Sequence, residues 1–174
     1  MVSVEINVTG WEQTEASLER VMLALSPPSL AGMLAGPVAE WHNKKVEQRF
    51  ASESDPAGRG WTPLAWNTQE YREKSGYGRE HPILINTGSL FNWLSSGGDV
   101  DTLGGSGAQI SWPRNGASAE DIVKYVTNQR GTKSNNFGWP VPARPMLGFV
   151  PGDVLEVAAL VLEWFEFQSG LING

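Results

Sequence analysis

Residues 139–149 read Trp139-Pro140-Val141-Pro142-Ala143-Arg144-Pro145-Met146-Leu147-Gly148-Phe149, three prolines set around one arginine and closing on an apolar run. Each proline fixes its own φ and drives the preceding residue towards β or polyproline geometry, so Val141 and Arg144 are held extended with few conformations left to lose. The stretch cannot be a helix. A central strand would lose a ladder donor at every proline, which leaves an edge or a stiff surface strap. Such a strap aims side chains at a contact rather than at a reaction.

Outward from the strap, Pro151-Gly152-Asp153 opens a last helix that runs to about Phe167. Val154, Leu155, Val157, Ala158, Val161, Leu162, Trp164, Phe165 and Phe167 spread round most of its circumference. A helix apolar nearly all round calls for cover on both sides. Either it is central to the fold or it fills a groove in a neighbouring subunit. On the other side of the strap, residues 131–140 read as a polar loop, and Ala119 to Asn128 as a short helix capped by Ser118. Segment 94–118 is loop-like and glycine-rich, with a hairpin that has Ala108-Gln109-Ile110-Ser111-Trp112 as one arm.

Further back, Ile83-Leu84-Ile85 is short and apolar, and residues 86–90 turn before Phe91, Trp93 and Leu94, with Thr87-Gly88 supplying a positive φ. Asn67, with Glu70 three residues on, has capping-box spacing. Residues 52–66 form a polar connection leading into Trp61-Thr62-Pro63-Leu64. A long helix is expected from Ser29 to Phe50, with Pro37 either kinking it or starting a fresh helix. Residues 1–26 form an N-terminal arm: Val2 to Val8 alternates as a half-buried strand, and Leu18, Val21, Met22 and Leu25 share one helical face. These elements make one domain over residues 1–174. The expected class is α+β, a small mixed or antiparallel sheet with a β-hairpin packed against several helices and a C-terminal apolar helix.

The chain of 174 residues is 40% hydrophobic and 18% charged, ordinary proportions for a folded protein. Eight tryptophans are many, and tryptophan favours sites that are apolar on one side and polar on the other. The net charge of −6 is uneven. Residues 1–40 hold five acids and one base, 41–79 five acids and seven bases, and 145–174 four acids and no base. Acidic ends flanking a basic middle suit head-to-tail protein contact through complementary patches, and do not suit nucleic-acid binding. No secretion signal and no membrane-length apolar run is read.

Chemistry has few candidates. With no cysteine and two histidines, thiolate sites are excluded, and neither His42 nor His81 has a metal-spaced partner. His42, beside Trp41, reads as a partly exposed packing residue. Asp99 and Asp101 alternate as cation ligands do, but the further ligands of a calcium loop are missing. Neither Asp55-Pro56-Ala57-Gly58-Arg59-Gly60 nor Gly104-Gly105-Ser106-Gly107 carries a Walker lysine. No catalytic residue, cofactor or metal is therefore expected; a hydrolase built on Asp99, Asp101, Asp121 and Asp153 is the least favoured alternative.

Several segments also occur in a fixed order: Trp61-Thr62-Pro63-Leu64; Thr68, Tyr71 and Lys74; Ile83 to Leu90; Tyr125, Gln129 and Gly131; and Val141 to Gly148. The series resembles the phage virion morphogenesis family, the tail-completion or neck proteins of tailed bacteriophages. There the motifs look like W-x-P-L, I-L-x-x-T-G-x-L, Y-x-x-x-H-Q-x-G and I-P-A-R-P-F-L-G; Asn128 and Met146 depart from the last two. The resemblance implies a small α+β structural subunit of the virion, at the neck or head-proximal tail, assembled in the host cytoplasm into a homo-oligomeric ring. Its partners would be itself and neighbouring neck, head-completion and tail-terminator proteins. Candidate interface residues are Arg144, Pro142, Pro145, Trp61, Pro63, Trp139, Trp164 and Phe165, with the Arg144 fork expected to meet a carboxylate of its own or a neighbouring subunit.

Overall fold

The computed structural model describes residues 11–80, 82–104, 107–133 and 140–170, with the main chain alone for 11–14. The expected strand at Val2–Val8, His81 and Trp139 lie outside the described residues. Helix α1 spans Trp11–Ala24, and α2 spans Pro27–Met33 with proline in its first turn, where no intrahelical donor is lost. A five-residue π-helical turn, Leu34–Val38, then leads straight into α3, Ala39–Ser52. Pro37 does not start a fresh helix. It sits inside the wider turn, which accommodates a residue that has no N–H and crowds the preceding turn.

Helix α4 is Trp66–Lys74, and its N-cap is Ala65 rather than Asn67, which lies within the first turn. Gln69 instead donates to the Leu64 carbonyl at 2.9 Å, and Glu70 pairs with Lys74 at 2.8 Å. Gly88 has φ 81°, as the turn requires, but α5 begins immediately after it, so Phe91, Trp93 and Leu94 lie on the helix Ser89–Leu94. Among the described residues the sheet is a two-stranded antiparallel hairpin, β1 (Asp99–Thr102) and β2 (Ala108–Ser111), with Val100 opposite Ile110. Helix α6 is Ala119–Arg130, and the Ser118 hydroxyl accepts the Asp121 N–H, as its sequence position predicts. Helix α7 is Pro151–Ser169, ended by Gly170 at φ 63°. The α+β class therefore holds, with helix predominant.

The core forms where α3, α5, the Trp61 segment and the strap meet. Val46, Phe50, Trp61, Ile83, Leu90, Leu94 and Met146 make one buried cluster. The Phe50 ring meets Trp61 and Phe91 edge-on, at 5.3 and 5.2 Å between centroids. A satellite cluster seats the hairpin on α2 and the π-helical turn. There His42 is buried, not partly exposed, and stacks on Trp112 at 4.3 Å.

Helix α7 departs furthest from expectation. It packs along α1, yet Val154, Leu155, Leu162 and Phe167 are 59%, 73%, 61% and 78% exposed. Helix α7 is thus not the centre of the chain's own core. On α1, Leu18, Met22 and Leu23 are also exposed, as is Leu25 just beyond its end.

Burial pushes the His42 pKa from its ordinary 6.5 down to about 4, so the folded protein holds this imidazole neutral. The unfolded chain binds the proton first as pH falls, and the contribution to stability is complete above about pH 6.5 and is lost towards pH 4. Denaturant titrations should therefore show stability declining across that window by at most about 1.4 kcal/mol per pH unit from this group. The decline should flatten in His42→Phe.

Candidate interface: the strap and its groove

Three side chains from different elements hold the strap. Gln129, at the end of α6, accepts the N–H of Met146 at 2.7 Å and of Leu147 at 3.1 Å, and donates to the Leu147 carbonyl at 2.6 Å. One amide thus replaces a strand neighbour. Arg49 of α3 donates to the carbonyls of Met146 (3.2 Å) and Gly148 (3.0 Å) and pairs with buried Asp153 at 3.4 Å. The Asp153 carboxylate also accepts the Val150 N–H at 3.0 Å, so a single acid joins strap, α3 and the start of α7. Trp61 donates its indole N–H to the Pro145 carbonyl at 3.0 Å.

Arg144 works in the opposite direction, from the strap into the fold. It is 5% exposed, and its Nε and Nη2 donate to the carbonyls of Thr62 (2.8 Å) and Pro63 (3.0 Å), with Nη1 3.4 Å from Asn128 Oδ1. A carboxylate partner from its own chain is not there: among the described residues Arg144 forms no ion pair. Burial lowers its pKa and no acid opposes the shift. Main-chain carbonyls suffice because the planar fork reaches two consecutive residues of the Trp61–Leu64 segment at once.

Gly131 explains how strap and α6 come so close. Thr132 and Val141 exchange both main-chain hydrogen bonds, at 2.9 and 3.1 Å. Gly131 has φ 70°, and a Cβ there would lie 2.8 Å from the Ala143 nitrogen and 2.9 Å from the Val141 oxygen. Only glycine meets both conditions.

Between the strap, α4 and the 84–90 segment lies a groove of about 1040 Å³. Leu64, Leu84, Leu90 and Val141 supply apolar walls, and Tyr71, 66% exposed, stands at its edge. Pro63 and Pro142 are exposed groove residues and Pro145 is half-buried, whereas Trp61 and Arg144 are buried parts of the framework. Trp164 and Phe165 are half-buried on α7, away from the groove lining. Arg72 was not among the sequence candidates. It is buried, lines the groove and donates to the carbonyls of Pro82 (2.9 Å) and Ile85 (3.2 Å), while its Nε has no partner. A carbonyl partner ten or more residues away leaves no pattern in the sequence.

The aspartates proposed for chemistry are held apart in structural roles. Asp99 accepts the Asn115 N–H, Asp121 accepts from the hydroxyls of Ser89 (2.7 Å) and Ser118 (2.8 Å), Asp153 ties the strap, and Asp101 is exposed. Both serine hydrogen bonds hold Asp121 below its ordinary carboxylate range. Among the described residues no three histidine, aspartate or glutamate side chains group as metal ligands do.

Two substitutions test the framework. Arg144→Lys keeps the charge but loses the fork, and should lower stability in urea titrations by about 1.5–3 kcal/mol, against under about 0.5 for Arg59→Lys at the exposed loop tip. Gly131→Ala should destabilise by more than about 1 kcal/mol and weaken protection of the Thr132 and Val141 amides in hydrogen exchange.

No curated protein and no solved structure matches the chain. The phage virion morphogenesis family matches residues 10–166 of the 174, which takes in every described helix from the start of α1 to the last turn of α7. With nine-tenths of its length within that match, the chain belongs to the phage virion morphogenesis family.

Proposed function

We propose that this virion protein is a tail-completion or head–tail joining subunit at the neck, acting by assembly into a homo-oligomeric ring. The observation that carries this reading is the uncovered apolar face of α1 and α7. Leu155 and Phe167, at 73% and 78% exposed, sit with Met22 and Leu23, at 73% and 70%, on adjoining helices. Several large apolar side chains left exposed on two helices of a folded chain mark a contact site. Its position opposite in charge to the 41–79 region favours a heterologous contact, in which each subunit offers one patch to each neighbour and the rotation closes a ring.

The same surface would serve a tail terminator, seated on the last tail ring. Deleting the gene from the phage separates the readings by micrograph. A joining role predicts full-length tails unattached to heads, whereas termination predicts overlong tails. Purified virions should contain the protein as a multimer. Its absence from virions together with normal particles in the deletion would contradict both readings.

A further inference from the structure

We propose that the strap groove receives the outer face of α7 from a second copy of this chain, as a helix laid in a groove; this rests on the ring reading above. The groove is lined by three bases, Arg72, Lys124 and Arg144, and by no acid. Lys124 is paired outside it with Glu120, at 2.7 Å. Arg72 and Arg144 hydrogen-bond to carbonyls and have no ion pair among the described residues, and Arg72 Nε lacks any hydrogen-bond partner. The groove is thus an apolar trough with uncompensated positive charge in its wall.

Helix α7 has the opposite character. Its four acids have no basic residue among them, and Asp153 and Glu156 are already engaged by Lys45 and Arg49. Glu163 and Glu166 are exposed and form no ion pair among the described residues. Leu155, Ala159, Leu162 and Glu166 fall at i, i+4, i+7 and i+11, one stripe of the helix surface, and all four are exposed. Two leucines and an alanine followed by a carboxylate match an apolar trough walled with guanidinium groups. Because α1 covers the other side of α7, the stripe faces away from its own subunit. Such an apolar anchor stripe is how amphipathic helices enter hydrophobic grooves. Groove and helix are different patches of one chain, so the contact repeats from subunit to subunit instead of ending at a dimer.

The chain has no cysteine, which allows a direct test. Tyr71→Cys at the groove edge and Ala159→Cys on the stripe are both at exposed positions. Co-expressed and oxidised, the two proteins should give a disulfide-linked dimer on a non-reducing gel that neither gives alone. Adding Glu166→Lys to the Ala159→Cys chain should cut the yield by about tenfold. Cross-linking by Ala159→Cys alone would show α7 pairing with itself and overturn the proposal. So would an absent cross-link in a preparation whose mass is oligomeric, which would leave the ring reading standing. A preparation that stays monomeric and uncross-linked would assign the groove to another chain and contradict both.

Discussion

The strap depends on buried cations and amides answering main-chain carbonyls. An extended segment with prolines at 140, 142 and 145 cannot pair regularly with a sheet, so its polar groups need partners from side chains. Gln129 and Arg49 reach into it, Arg144 reaches out of it, and Trp61 donates to the carbonyl at Pro145. The charged donors Arg49 and Arg144 make stronger bonds than the neutral amide and indole do, and burial makes each costly to lose. The prolines add to the effect by limiting the conformations of the unfolded segment.

With the strap fixed, the rest of the architecture follows in sequence. Met146 is drawn fully into the core beside Val46 and Phe50, Asp153 anchors the first turn of α7, and α7 then leaves along α1. One turn further on, Lys45 and Trp41 also meet Glu156, at 2.8 and 2.7 Å. Helix α7 is therefore held firmly at its N-terminal end and packs on α1 and the π-helical turn. An element arranged in this way keeps an apolar face available without loosening the core.

Much of the framework was legible from residue type and spacing. The prolines ruled out helix and central strand, Ser118 stood at the cap of α6, Pro151 opened α7, and Gly88 carried the positive φ that its turn demanded. Other features left no such trace. The π-helical turn around Pro37, which the hairpin touches, has no period of its own in the sequence, and α5, starting at Ser89, is too short a helix to show one. The arginine partners within the chain left no trace because a carboxylate is visible in a sequence as a residue type and a backbone carbonyl is not; Arg144 and Arg72 both found carbonyls. The all-round apolar character of α7 announced that cover was needed, but periodicity carries no information on which chain provides it.

A density map of the intact particle at side-chain resolution tests the central claim most directly. The account predicts this chain in a closed ring at the head–tail junction, with Arg144 still on the Thr62 and Pro63 carbonyls and the Leu155–Leu162 face of α7 covered by protein. A map showing the chain solitary, or with that face open to solvent in the assembled virion, would contradict it.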